Sequence, residues 1–193
     1  MLAVSARAAK AGLTDTGTAA DAITTVLNAY GLSADRAADV SDLLFTIVRR
    51  GKLTFSDLAP NIGKVASIAA SAGLSLDELG AALAAMTRNG VQAENAVTAL
   101  TAIVSTFLKP SAEASEYARQ LGFNLDAATL RAEGLEGVFA RIGKLPPDAI
   151  SKLFPNIRAL RGVLPAMRNM EGFSADLEAM AGSTPRSALM LGN

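Results

Sequence analysis

Gly73-Leu-Ser-Leu-Asp-Glu-Leu-Gly-Ala-Ala-Leu-Ala-Ala-Met-Thr-Arg-Asn-Gly90 reads as one complete helix with both ends marked. Ser75-Leu-Asp-Glu78 has the spacing of a capping box, in which a hydroxyl takes up a first-turn amide while the carboxylate reaches back to the Ser75 amide. Leu76, Leu79, Leu83 and Met86 then recur at intervals of three and four, which makes one buried stripe, and Gly90 stops it. Period-two alternation does not survive beyond a few residues here or elsewhere, so no strand is assigned.

The same punctuation recurs on either side. Gly31, Gly51, Gly73, Gly90, Pro110 and Gly122 each follow an apolar-periodic segment, as helix stops do. Upstream, Ala19, Ile23, Val26, Leu27 and Tyr30 share a face between Thr18 and Tyr30. From Ser33, an expected N-cap, to Arg50, the stripe Ala37, Val40, Leu44 and Ile47 opposes Asp35, Asp39, Asp42 and Arg49. Thr54-Phe-Ser-Asp57 is an imperfect capping box that opens a short helix, and Pro60 is expected to set a break or a new first turn. Ile62, Val65, Ala69 and Ala72 carry a helical face from there to Gly73.

Downstream, Val97, Leu100, Val104 and Phe107, widened by Ile103 and Leu108, make the segment Gln92 to Leu108 the expected central helix. Beyond it come a helix near Ser111 to Leu121, short pieces around Ala127 to Arg131 and Leu135 to Ile142, and another after Pro147. A last strong segment runs from Asn156 with Ile157, Leu160, Leu164 and Met167 aligned, which Pro165 should kink or end. The tail from Gly182 is expected to be loose. The fold expected is all-α, a compact array of short to medium antiparallel helices with no sheet. Its expected divisions are an N-terminal helical lead-in over 1–17, a helical core over 18–170, and a short C-terminal helix with a loose tail over 171–193. Gly31-Leu-Ser-Ala-Asp35 returns as Gly73-Leu-Ser-Leu-Asp77 and faintly as Gly122-Phe-Asn-Leu-Asp126. Either helix stops and starts converge on the same capping residues, or a helix-turn-helix unit is duplicated.

Composition narrows the function. Half of the 193 residues are apolar and 19% are charged, so the chain buries enough surface to fold. The apolar share is rich in alanine, with 5% aromatics, which suits helices packed closely around small side chains. The 18 basic and 18 acidic residues cancel, which removes a global attraction to nucleic acid or to an anionic membrane. Neither cysteine nor histidine occurs, which removes disulfides, thiolate nucleophiles, the commonest neutral-pH base and the commonest nitrogen ligand for metals. No cofactor and no metal are expected. The longest uncharged run, 95–108, falls short of the ~18 to 20 residues that cross a bilayer. Met1-Leu-Ala-Val-Ser-Ala-Arg7 lacks the basic and long apolar parts of a secretory signal, so export is not expected.

No motif with reactive chemistry emerges. No serine sits between glycines as a nucleophile elbow requires, and none of the Gly-Lys pairs at Gly51, Gly63 and Gly143 has the upstream glycine of a phosphate loop. Gly134-Leu-Glu-Gly137 matches the bare loop of a KH module, without the strands that module needs. Asp77 with Glu78 and Glu133 with Glu136 are the carboxylate pairs to consider for glycoside hydrolysis. Capping explains the first, and adjacent helical residues point about 100° apart instead of converging on one bond. From Gly137 to Met170 the chain carries Arg141, Lys144, Lys152, Arg158, Arg161 and Arg168 against Asp148 alone. Arg158, Arg161 and Arg168 share a helical face, either as an ordinary solvated edge or as a stripe for an acidic partner surface or passing DNA. The lack of interleaved aromatics weakens the nucleic-acid version.

The succession Leu27-Asn-Ala-Tyr-Gly-Leu-Ser33, Ala72-Gly-Leu-Ser-Leu-Asp-Glu78, Met86-Thr-Arg-Asn-Gly90, Ala99-Leu-Thr-Ala102, Leu108-Lys-Pro-Ser111, Leu121-Gly122 and Leu153-Phe154 leading into Arg158-Ala-Leu160 resembles the core region of phage tail tape measure proteins. These are also called phage-related minor tail proteins, and the resemblance runs from about Ala19 to Met170. It implies a structural role in a phage or prophage tail, in assembly and length determination, with no enzymatic residues to carry over. The partners it implies are tail tube or assembly proteins and further copies of the chain, with no specific nucleic acid. It places the protein in the virion tail, and in the host cytoplasm during assembly. The family's members are far longer, so a fragment or a degenerate prophage product is expected. A helical ruler rises ~1.5 Å per residue without interruption. This chain is cut by Gly or Pro too often, so a compact domain beside the ruler is expected, not the ruler itself. The alternative is a non-enzymatic helical adaptor or scaffolding module that binds a partner helix, which gene neighbourhood would separate. A wall-degrading enzyme is disfavoured by the residue inventory.

Overall fold

The computed structural model describes residues 2–12, 15–154 and 164–182, and among these it contains helices and no strand. In chain order they are α1 (Leu2–Gly12), α2 (Thr16–Ala29), a 3-10 turn (Ala34–Arg36), α3 (Ala37–Arg50), α4 (Phe55–Ala72), α5 (Leu76–Arg88), α6 (Ala93–Leu108), α7 (Ala112–Gln120), α8 (Ala127–Ile142), α9 (Pro147–Leu153), α10 (Leu164–Arg168) and α11 (Met170–Ala181). The all-α expectation holds. The longest of them, α4, has 18 residues and so is about 27 Å long, far from a continuous rod.

Local chemistry explains the starts and stops. Ser75 and Glu78 form the expected capping box, and Thr54 with Asp57 forms a second, complete one. Asp15, Ser111 and Asp126 cap α2, α7 and α8 by accepting first-turn amides from Thr18, Ala114 and Thr129. At Gly73 the backbone turns left-handed, with φ 81°, which lets Leu74 donate to the Ala69 carbonyl at 3.0 Å and Gly73 to that of Ala70. The long member of that bond pair recurs after α2 (Leu32 to Leu27), after α5 (Val91 to Met86) and after α7 (Phe123 to Ala118). The repeated Gly-apolar pattern is thus a helix stop each time, with the apolar residue turned back onto the helix end.

Two rows of helices carry the core. α2 packs on α4 and α4 on α6; α3 packs on α5 and α5 on α11, while α1 crosses α2 and α3. Most of the expected stripe residues are buried: Ala19, Ile23, Val26 and Leu27; Ala37, Val40, Leu44 and Ile47; Ile62, Val65, Ala69 and Ala72; Val97, Leu100, Val104 and Phe107, while Tyr30 and Leu108 are half-buried. The centre, however, is α5 and not α6. Residues Leu79 to Thr87 are buried without a break, and α5 meets α3, α4, α6, α8, α10 and α11. Gly80, Ala81, Ala82, Ala84 and Ala85 make it thin enough to be surrounded. Thr87 sits in that position without penalty because its hydroxyl donates to the Leu83 carbonyl at 2.8 Å.

Two more expectations are corrected. Pro60 neither breaks nor restarts a helix, since α4 runs through it. Pro60 and Ser56, whose carbonyl the proline leaves without an amide, are both exposed, which lowers the cost of the missing bond. Ser33 does not cap through its side chain, which pairs with the Asp35 carboxyl at the head of a 3-10 turn. Among the described residues Leu2 and Leu121 are the exposed large hydrophobics. The pieces expected on either side of Glu133 do appear, joined at Gly134, whose φ of 63° and ψ of −178° kink α8. Of the expected segment from Asn156, residues 156–163 lie outside the described residues, as does the tail beyond Gly182; Met167 is buried.

Candidate functional site

The groups able to do chemistry gather at two helix junctions. At the first, the amino end of α5 meets the kink of α8. One oxygen of Glu78 accepts from the Ser75 amide and hydroxyl, both at 3.0 Å, and the other accepts from the Leu135 amide at 3.1 Å. A single carboxylate therefore caps α5 and the second half of α8. Gly134 is required there because a Cβ would run into that carboxylate and because its positive φ disfavours other residues. Arg131 closes the junction by donating to the Ala72 carbonyl at 3.1 Å.

Asp77 stands beside this cap, and burial, then the neighbouring Glu78 charge, push its carboxyl up to about 6. Burial, reinforced by Glu78 and Asp77, likewise raises the Tyr30 phenol well above its ordinary value. Asp77 can thus hold a proton to a higher pH than an ordinary carboxylate. It does not form an acid–base pair, because Glu78 is committed to two helix starts.

At the second junction α11 lies across the carboxyl ends of α3 and α5. Asp176 is fully buried, and accepts from Arg50 Nε at 2.9 Å and from Arg88 Nη1 at 2.6 Å. Arg88 Nη1 also reaches the Arg50 carbonyl at 3.4 Å. The other pair of interest is equally spent, since Glu133 holds Arg141 and Glu136 accepts from Ser174 of α11.

Two described members of the basic run, Arg141 and Lys152, lie against different aromatic rings. Arg141 lies 5.0 Å from the Phe123 ring centre, and Lys152 lies 4.8 Å from that of Tyr117. Of the stripe Arg158, Arg161 and Arg168, the first two fall outside the described residues, and Arg168 is exposed at the end of α10. Between α4 and α6 a shallow groove of 460 Å³ is lined mainly by polar groups, among them Lys52, Asp57, Asn61 and Glu94. Among the described residues no three carboxylates cluster as a metal site would, and no helix is long and apolar enough to cross a membrane. Sequence reading missed the reach of Glu78 to α8 and the Asp176 pair, whose partners stand 126 and 88 positions away.

Residues 1–183 match the profile of a family described as phage-related minor tail protein. A tape measure protein of Pneumococcus phage Dp-1 is 31% identical over 108 residues, which are 56% of this chain and 9% of that protein. The matched stretch thus spans less than a tenth of that relative. No solved structure matches the chain.

Proposed function

The chain belongs to the phage-related minor tail protein family, and on that premise we propose that it is a non-catalytic structural part of a phage or prophage tail, acting in tail assembly and length determination. The observation that carries this is the family match over residues 1–183. The side chains support the non-catalytic part, because Glu78, Glu133, Glu136 and Asp176 are engaged in caps and ion pairs that hold helices together. The short, mutually buried helices favour a packed module beside a ruler over a length of the ruler itself.

Its partners are tail tube or assembly proteins, met in the host cytoplasm during assembly and retained in the virion tail. Among the described residues nearly all large apolar side chains are at least partly buried, which favours contacts through polar helix surfaces, and Arg168 with Arg158 and Arg161 is the surface proposed for an acidic partner. Family membership favours this reading over a free-standing adaptor. In-frame deletion of the segment in the phage or prophage that encodes it should abolish tails or change their length in electron micrographs. Tails of normal number and length would refute the proposal.

A further inference from the structure

α11 is attached differently from the rest of the fold. Its apolar contribution rests mainly on Phe173 and Met180, both fully buried, with Met170 and Leu177 packed beside them. Phe173 meets Phe139 edge-on at 5.4 Å, and Met180 lies over Gly80, where a Cβ would stand 3.2 Å from its sulfur. Gly172 makes the matching approach on the other helix, for a Cβ there would come within 2.8 Å of Arg88.

Between these contacts sits Asp176, with no exposed surface, while Arg50 and Arg88 keep 37% and 33% of their side chains in water. A buried carboxylate of this kind adds little net stability over an apolar residue, yet its loss of a charged partner is severely felt. It therefore fixes where α11 docks more than how firmly the whole molecule holds together. The cations stay with the body of the fold when the helix leaves, and both remain able to hydrate, so the separated state has no stranded charge.

We propose that α11 is a detachable strap, latched by Asp176 between Arg50 and Arg88, that undocks as a unit from α3, α5 and α8 while the remaining helices stay folded. Release uncovers the Gly80 face of α5, with Ile47 and Phe139 at its edges, so the strap controls exposure of the otherwise enclosed central helix. This goes beyond the tail role and does not depend on it.

Native-state hydrogen exchange on the full chain tests the inference. In the unaltered protein, α11 amides are expected to exchange through an opening at least about 10-fold more frequent than that of α5 and α6. Asp176→Asn should raise that opening about 100-fold or more, the size expected when a buried ion pair loses its charge, with α2, α4 and α6 unchanged. Arg50→Gln, which leaves Arg88 on Asp176, should give a smaller rise confined to the same helix. Exchange of α11 at the rate of α5 in the unaltered chain would overturn the proposal. So would no change in α11 on Asp176→Asn, or a rise spread over every helix. A variant that fails to fold would overturn it too, since loss of a latch leaves the body standing.

Discussion

The helices α4 to α6 and the pair α8 and α11 use different adhesives. In the first region neighbours in sequence bury leucine, valine and alanine against one another, and the ends are closed by Gly73 and Gly90 and by two capping boxes. In the second, segments far apart in the chain are fastened by single charged groups: Glu78 on Leu135, Asp176 on Arg50 and Arg88, Ser174 on Glu136. Apolar area supplies the cohesion of the first region, and charge supplies the register of the second. The two should respond differently to the same kind of truncation.

The largest loss is expected in the first region. Leu100→Ala removes a fully buried side chain, and denaturant unfolding should show about 2–5 kcal/mol lost with the helix content of the folded state unchanged. Glu78→Ala probes the second, because it leaves the Leu135 amide without its acceptor and opens the Ser75 cap. A loss of about 1–3 kcal/mol is expected, with the change in amide shifts concentrated at the α5 start and the α8 kink. A Glu78 variant with shifts confined to α5 would show that the shared cap is unimportant.

The proton at Asp77 offers a subtler distinction. Its folded value of about 6 lies above the ordinary 3.8, so the folded chain holds a proton that the unfolded chain has released. Stability from this group is present below about pH 4 and is lost as the pH rises through about 6. The helix-start carboxylates Asp15, Asp35, Asp57 and Asp126 have the opposite sign, being lowered by the hydrogen bonds they accept, and their contribution is lost below the ordinary carboxylate range. Asp77→Asn should therefore flatten the fall between about pH 4 and 6 and leave the acid limb in place. The smallest effect belongs to Arg119→Ala, whose partner Glu116 is as exposed as itself; a change within about 0.5 kcal/mol is expected by thermal unfolding.

The same contrast decides what was legible. Stripes, caps and glycine stops are local patterns, so α2 to α6 and even the break at Gly134 are readable from residues within a few positions of one another. The choice of central helix was not, because large side chains mark a stripe while α5 is enclosed by virtue of its small ones. Pro60 misleads for a related reason: its cost depends on whether water reaches the Ser56 carbonyl, which only the packed structure decides. Asp176 looks like any surface acid until Arg50 and Arg88 arrive from distant helices. Of the candidate site, the capping role of Glu78 was visible, its second role was not, and the arginine stripe remains a proposal resting on Arg168 and two residues outside the described ones.

The compactness of the described helices underlies both adhesives and the proposed module. Small-angle scattering measures it directly. If the account holds, a chain of 193 residues folded as one compact domain should give a radius of gyration of about 16 Å. A single unbroken helix of the same length would approach 290 Å end to end, by the rise of about 1.5 Å per residue. A scattering profile of such a rod, with undiminished helicity by circular dichroism, would contradict the account.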